Sequence, residues 1–379
     1  MIGFWRKSGT VPLLAVLGFF GTAALLGAVE DHIIKYKNKE VVPGEIKKAD
    51  LDQVEILYRD QKTGNASPIG FGAAEIASIE WDIQDPDWRS GMAAFEGGQY
   101  GQAAQRFQSV VAGEDFDKFR AAAKPAAYYY CAESLYRSNK LGDAVPMFKK
   151  LVSDYKSSFY VPKAVGSLVD AAIQTSKMDE VPALLGQLTQ MGGEQRVLAN
   201  YYEGQVFLAQ DKVKQAEEKF AAAGAGTSVP ATRGMALMGQ AQCAIAAGDL
   251  ARARDLAKRA LQAEPPASVA GAAHLIIGNA LVAEADKEKA AGEALQNKLM
   301  DALLEYMRVQ EQYRGDPRTE PESIFKAGNC LERLYKSNPT SRGGDRHRAM
   351  YMYNKLTNDA RYRSSRWAVQ ASEAIKNLR

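Results

Sequence analysis

The side chains that could carry catalysis or bind a metal are few in this sequence and widely separated. The three histidines, His32, His274 and His347, lie in no HExxH motif and beside no pair of cysteines or aspartates. The segment Gly70-Phe-Gly72 lacks the third glycine and the strand-to-helix context of a nucleotide-binding loop. The sequence therefore predicts no catalytic residue, no metal site and no cofactor, and it favours a protein that binds over one that catalyses.

One segment near the C-terminus interleaves basic and aromatic side chains, a combination that can bind nucleic acid, anionic lipid or acidic polymer. The arginines of this possible basic patch are Arg346, Arg348, Arg361, Arg363 and Arg366, among Tyr351, Tyr353, Tyr362 and Trp367. The alternative is a solvated terminal repeat whose tyrosines belong to the core. Because the formal net charge of the 379-residue chain is only +3, a dedicated nucleic-acid binder is not predicted.

The N-terminus has the layout of an export signal. Arg6 and Lys7 precede an apolar run from Val11 to Val29. The run is also just long enough to span a bilayer as an uncleaved anchor. Residues 1–29 are therefore expected to be a signal peptide or membrane anchor, and in both cases the body lies outside the cytoplasm because the positive charges stay inside.

Residues 30–40 are charged and are expected to form a linker, and residues 41–83 are expected to form a small β-domain. Val54, Ile56 and Tyr58 alternate with other residues in the period-2 pattern of a half-buried strand. Pro43-Gly44 and the polar stretch 60–67 are interpreted as turns. The pattern resembles a small SH3-like or Sm-like barrel, which is too small for an independent core and is expected to pack on the first helices.

From Asp85 onward the pattern is helical and repeats every 35 to 49 residues. Asp85-Pro86 is a strong helix start, and small residues recur in register through the second helix of each copy. These seven anchors are Ala103, Ala144, Val181, Ala216, Ala253, Ala302 and Ala349. Glycine and proline clusters fall between the copies, and Arg366 to Leu378 has the spacing of a capping helix. The sequence predicts about seven helical pairs stacked as a solenoid over residues 85–379.

The first copy carries Gly91, Gly98, Tyr100, Ala103 and Phe107, a small residue in the first helix followed by an aromatic and alanine in the second. With this pattern, residues 85–379 resemble the tetratricopeptide (TPR) repeat proteins. The resemblance implies a mainly α fold, a TPR-type α-solenoid, here preceded by the small β-domain and the apolar N-terminal helix. It also implies a scaffold that binds protein partners, whereas the sequence offers no set of residues for an enzyme in the β-domain.

In TPR proteins the first helices of the repeats line a concave groove, and the resemblance implies which residues do so here. The groove positions are Trp88, Met92, Tyr129, Glu133, Tyr136, Arg137, Tyr201, Gln205, Met238 and Gln242. This is a groove rich in aromatic residues and methionine, suited to an extended or helical protein segment. The alternative is that Tyr128 to Tyr130 simply pack the repeats together.

The function expected from the sequence is a non-enzymatic interaction scaffold of a bacterial-type cell envelope, with another protein as partner and the membrane contacted through the N-terminal segment. The alternative is a protein that binds a cell-wall polymer or glycan, for which the groove aromatics would have to lie flat and exposed. The three cysteines, Cys131, Cys243 and Cys330, are too far apart in sequence for a disulfide framework or a CxxC site and are expected to be buried.

Overall fold

The computed structural model describes residues 29–36, 40–59, 63, 65–263, 265–289, 291–313, 316, 319–340, 342–359, 361–363 and 365–378. The predicted apolar helix within residues 1–29 lies outside the described residues except for Val29. The described part comprises a small β-sheet domain followed by helices alone. The predicted fold class, an α-solenoid preceded by a β-domain, is confirmed.

The β-domain is a five-stranded antiparallel sheet with the order β4-β3-β2-β1-β5. Its strands are β1 (Asp31–Lys35), β2 (Val41–Ala49), β3 (Gln53–Arg59), β4 (Ala66–Gly72) and β5 (Ile76–Glu80). Strand β1 pairs with both β2 and β5, so the last strand returns to the first as in a small barrel. Ile33, Val54, Ile56 and Ile79 are almost fully buried between the two halves of the sheet.

Two details of the β-domain differ from the expectation. Residues 31–35 are not part of a linker, because they form strand β1, which lies between β2 and β5 in the sheet. Pro43-Gly44 is not a turn but lies inside β2, opposite β1. Gly44 has a φ of +156°, and a Cβ there would lie 2.6 Å from the carbonyl oxygen of Leu57, so only glycine lets β2 approach β3 at this point.

Within the described residues, the helices form seven consecutive hairpins and a final single helix. In chain order they are α1 (Pro86–Glu96), α2 (Tyr100–Ala112), α3 (Lys124–Arg137), α4 (Leu141–Asp154), α5 (Val161–Thr175), α6 (Val181–Met191), α7 (Gly193–Ala209), α8 (Val213–Gly226), α9 (Pro230–Ala246), α10 (Leu250–Gln262), α11 (Ala267–Lys287), α12 (Gly292–Gln312), α13 (Glu320–Ser337), α14 (Gly343–Asn358) and α15 (Arg366–Leu378). The first begins as expected, since the Asp85 carboxylate accepts a hydrogen bond from the backbone N–H of Trp88 at 2.8 Å.

Four of the described hairpins, the first, fourth, sixth and seventh, close around a glycine that faces an aromatic ring. A Cβ on Gly91 would lie 2.7 Å from the ring of Phe107, and one on Gly328 would lie 2.5 Å from the ring of Tyr353. The seven predicted anchors, from Ala103 to Ala349, are all 2% exposed or less. Neighbouring repeats thus bury their faces against one another, which is why the last repeat needs α15 as a cap.

Among the described residues, α11 is the one helix long and apolar enough to cross a membrane, and half of its apolar stretch is buried. It packs between α10 and α12 and is the long first helix of the sixth hairpin. Charged residues near its C-terminal end connect to neighbouring helices: Glu284 pairs with Arg254 of α10, and Asp286 pairs with Arg333 of α13.

The first and last hairpins approach each other. A Cβ on Gly98, in the α1–α2 turn, would lie 3.6 Å from a guanidinium nitrogen of Arg361, in the turn between α14 and α15. The array therefore curves far enough to bring its two ends together.

Candidate functional site

The β-domain is fixed to the solenoid by a buried carboxylate. Asp31, at the start of β1, is 0% exposed and lies 2.5 and 2.6 Å from two guanidinium nitrogens of Arg120, in the α2–α3 connection. It also accepts the backbone N–H groups of Ile46 and Asp82, at 2.9 and 2.8 Å. The Asp31 carboxylate raises the pKa of Arg120, which remains charged. Three parts of the chain that are distant in sequence thus meet at one side chain.

Backbone hydrogen bonds add a second connection. The N–H of Leu51 donates to the carbonyl of Ser157, and the N–H of Phe159 donates to the carbonyl of Ala49, so the β2–β3 turn pairs with the α4–α5 connection. The indole N–H of Trp81 donates to the hydroxyl of Tyr160 at 2.9 Å, a contact between two buried side chains. The β-domain is therefore held at the inner edge of hairpins one to three.

A cavity of about 660 Å³ lies between the β-domain and the first helices of successive hairpins. The starts of α5, α7, α9 and α11 form one side, and the α12–α13 connection closes one end. Residues 72–77 and the side chains of Tyr36 and Leu51 form the β-domain side. This cavity is the candidate functional site, because it is the place where the interior of the solenoid remains open beside the β-domain.

The lining is mixed in chemistry. Its apolar and aromatic members include Leu198, Met235, Tyr129, Tyr202 and Tyr313, and its charged members are Asp52, Arg137, Lys163, Glu194 and Asp316. The Glu194 carboxylate already has a partner in the protein, because both of its oxygens accept a hydrogen bond from the Thr227 hydroxyl at 2.9 Å. Such a lining suits a ligand with apolar groups and a few fixed polar ones.

At the α3 side of the cavity, a buried ion pair organises the first helices. Arg137 donates to Glu133 at 2.7 Å and to the hydroxyl of Tyr100 at 3.2 Å, and Ser167 donates to the second oxygen of Glu133 at 3.1 Å. Burial raises the pKa of Tyr129 well above its ordinary value, so this phenol stays neutral. These residues join α3 to α2 and α5.

Lys163, at the start of α5, is the second cation of the cavity. Its ammonium group donates to the carbonyl of Ala77 at 3.3 Å and lies 4.3 Å from the centre of the Phe159 ring. Burial lowers the pKa of this lysine to about 8, although the charge of Glu133 opposes the shift. Near neutral pH the side chain thus remains mostly protonated at a site that stabilises its charge poorly.

The predicted groove residues divide by burial. Trp88, Glu133, Tyr201 and Met238 are buried, and Met92, Tyr129, Tyr136, Arg137 and Gln205 are partly buried, whereas Gln242 is exposed. Trp88 and Met238 cannot contact a partner in this conformation, because at 2% and 3% exposure they are core residues. Trp88 packs edge-on against Phe107 and Tyr130. Of the ten positions, only Tyr129 and Arg137 line the cavity.

The arginines of the possible basic patch also differ in exposure and in their bonding partners. Arg346 donates twice to the carbonyl of Leu378 and so caps α15, and Arg361 is paired with Asp359. Arg348 and Arg363 are exposed, and exposed Arg366 stacks on Trp367 with 4.5 Å between the guanidinium carbon and the ring centre. Tyr353 and Tyr362 are core residues, but Tyr351 is 66% exposed. Arg348 also pairs with Asp345 at 3.3 Å, so three of the five arginines bond to a carboxylate or a backbone carbonyl.

Several residues that matter in the structure were missed from the sequence, among them Lys163, Gln195, Met235 and Tyr313. The repeat pattern locates the middle of each first helix, whereas the cavity is lined mainly by helix starts and by the β-domain. The available signal was the position of prolines at 162, 230 and 266, which mark three of these helix starts.

Within the described ranges, no group of three or more histidine, cysteine, aspartate or glutamate side chains is placed to hold a metal ion. Cys131, Cys243 and Cys330 are free and buried, and burial raises their pKa values to about 12, 11 and 12. Reactive thiolates are therefore not expected at neutral pH.

No protein-family model matches the sequence, and no curated protein does. Solved structures with a similar fold include a tetratricopeptide repeat protein from Parabacteroides merdae, with 12% identity, a TM-score of 0.42 and coverage of 77% of this chain and 97% of that one. Another is a human IFIT1 dimer with m7Gppp-AAAA, with 16% identity, a TM-score of 0.39 and coverage of 77% of this chain and 68% of that one. A third is the TPR2AB-domain:pHSP90 complex of yeast Sti1, with 10% identity, a TM-score of 0.27 and coverage of 64% and 96%. These likenesses concern the helical-repeat fold alone.

Proposed function

We propose that this protein is a non-enzymatic scaffold that holds an extended segment of a partner protein in the cavity between its β-domain and its solenoid. The observation that carries the proposal is the cavity itself. It is preformed, has a volume of about 660 Å³ and is bordered by the starts of four successive first helices. A segment lying across those helix starts would contact four repeats at once, so its binding depends on the stacking of the array.

The lining supports a protein segment more than a carbohydrate. A glycan site would present flat, exposed aromatic rings, but Tyr202 is 8% exposed, and the ring of Tyr129 packs 5.0 Å from that of Tyr160. Leu198 and Met235, both partly exposed, are apolar contacts of the kind that bind peptide side chains. The glycan alternative therefore receives less support.

An enzyme in the β-domain is not favoured either. The perturbed carboxylate of this domain is Glu80, whose pKa is lowered by its hydrogen bond with His32. A lowered pKa belongs to an ion pair and not to a general acid, which would need a raised one.

We further propose that the scaffold acts at a cell envelope, with the apolar segment 11–29 as signal or anchor. The support is the sequence of that segment alone. Protease added to intact spheroplasts should digest residues 30–379 of the native protein. Digestion only after lysis would place the body in the cytoplasm and refute the proposed location.

The binding proposal is tested by photo-crosslinking in cells from positions 198, 235 and 313, all in the cavity, with position 258 as control. Lys258 is exposed on the outer helix α10 and does not line the cavity. We expect one protein to be captured from the three cavity positions and not from position 258. Equal capture from all four positions, or capture from none, would contradict the proposal.

A further inference from the structure

Lys163 carries a charge for which the described residues supply no counterion. Among them, no carboxylate oxygen lies within 4.0 Å of its ammonium group. The carboxylate that does act on it at longer range is Glu133, and Glu133 is already paired with Arg137 and Ser167. A buried or half-buried ammonium group is normally paired, because removing it from water is costly. The cavity beside Lys163 is where a further partner would fit.

Gln195, on the first turn of α7, is a second incomplete group of the same cavity. It is 4% exposed, its side-chain N–H donates to the carbonyl of Leu51 at 2.9 Å, and its Oε1 is buried with no hydrogen-bond partner among the described residues. Native proteins satisfy more than nine tenths of such groups. A ligand that donates an N–H to Oε1 would satisfy this one.

The two residues lie on the first turns of neighbouring helices that start beside the cavity. Neither α5 nor α7 has a side-chain cap on its N-terminus. The helix dipole favours negative charge at such ends, and Glu194 on α7 is already turned toward Thr227. The β-domain closes the other side of this space, which keeps it partly dry and strengthens charge-assisted hydrogen bonds.

We propose that this end of the cavity is a recognition subsite for an internal acidic side chain of the bound segment. The carboxylate lies against the Lys163 ammonium group and the starts of α5 and α7, and a main-chain N–H of the segment donates to Gln195 Oε1. The subsite rests on the proposed function, since it assumes that a polypeptide segment occupies the cavity. It is formed jointly by the β-domain and the helix starts and uses no residue from the middle of a first helix.

The test uses two pools of capped pentapeptides, Ac-XXEXX-NH2 and Ac-XXQXX-NH2, in which X is any residue other than Asp or Glu. Binding of each pool to the full-length protein in detergent is measured as the fraction retained at equilibrium. We expect the wild-type protein to retain the Glu pool about tenfold better than the Gln pool, as for a charge-assisted hydrogen bond.

The following variants distinguish loss of the Lys163 charge from loss of the folded structure. Lys163→Met should reduce the Glu-to-Gln ratio to about 1, Lys163→Arg should keep a ratio well above 1, and Gln195→Leu should weaken both pools while keeping the ratio. Lys212→Met is the matched control, because Lys212 also lies over an aromatic ring, that of Phe207, but outside the cavity lining. It should leave both pools unchanged.

Equal retention of the two pools by the wild-type protein would overturn the subsite and leave peptide binding in the cavity intact. Retention of neither pool would overturn the subsite together with the proposed function. If Lys163→Met does not fold, as judged by circular dichroism, the wild-type ratio and the Lys163→Arg variant still decide the question.

Discussion

Replacement of Asp31 by alanine should detach the β-domain from the solenoid. The carboxylate is fully buried and accepts two hydrogen bonds from backbone N–H groups and two from the guanidinium group of Arg120. Breaking a buried ion pair by removing one partner costs about 3–5 kcal/mol. Each orphaned backbone N–H costs about 1–3 kcal/mol on its own. Because Arg120 is 26% exposed and regains some hydration, we expect a total of about 3–5 kcal/mol and not the sum of these costs.

Hydrogen exchange read by mass spectrometry measures this loss locally. Peptides covering β1, β5 and the α2–α3 connection should exchange at least about 100-fold faster in Asp31→Ala, since each 1.4 kcal/mol corresponds to a factor of ten. Peptides of α13 to α15 should be unchanged, because they belong to other core clusters. Combining Asp31→Ala with Arg120→Met should recover part of the protection, as the second change removes the unpaired charge.

Asp115→Ala is the matched control. Asp115 pairs with Lys118 in the same α2–α3 connection at 2.5 Å, but its side chain is 69% exposed. Exposed pairs of this kind contribute little to stability, so exchange should not change measurably. If Asp31→Ala accelerated exchange no more than Asp115→Ala does, or accelerated it equally in α13 to α15, the buried pair would not be what holds the β-domain in place.

Three further predictions concern packing, pH and overall curvature. Gly239→Ala should lower the free energy of unfolding in urea by about 1–3 kcal/mol, because the new Cβ would lie 2.3 Å from the Phe220 ring. The control Gly186→Ala has open space around the new Cβ and should be neutral or stabilising. The hydrogen bond with Glu80 is the main reason that the pKa of His32 is raised. The charged imidazole should therefore stabilise the fold by under about 1 kcal/mol below about pH 6.5, and this stabilisation should be lost as pH rises through the raised pKa. In His32→Gln, hydrogen exchange of β5 should no longer depend on pH in this range. Cysteines placed at Gly98 and Arg361 should be joined by a short bismaleimide, and failure of that crosslink would refute the approach of the two ends.

The repeat architecture could be predicted because it depends on local residue types. Small residues such as Ala103 and Gly91 are needed wherever two helices approach closely, and they recur in the sequence at the spacing of the hairpins. The boundaries of α15 and the start of α1 followed from capping and spacing in the same way. These features need only the residues of one or two neighbouring hairpins.

The cavity could not be predicted because it depends on where the β-domain docks. The Asp31–Arg120 contact joins residues 89 positions apart, and Gln195 meets Leu51 across 144 positions. No periodicity in the sequence reports such a pairing. The groove positions implied by the TPR resemblance place Trp88 and Met238 at the surface, but neighbouring helices bury both. Trp88 contacts Phe107 and Tyr130, and Met238 belongs to the core formed by α9, α10 and α11.

The docked β-domain also determines which part of the solenoid is available. One continuous core cluster extends from Ile33 in β1 to Cys243 in α9, so the β-domain, the first four hairpins and α9 share one core. The β-domain therefore already covers the α2–α3 and α4–α5 connections. A partner segment would lie in the cavity at the starts of α5 to α11, where the β-domain forms the opposite side. Specificity for the partner would then depend on residues outside the repeat pattern, such as Lys163 and Gln195. Loss of the contact between Asp31 and Arg120 should weaken partner binding even though Asp31 does not line the cavity.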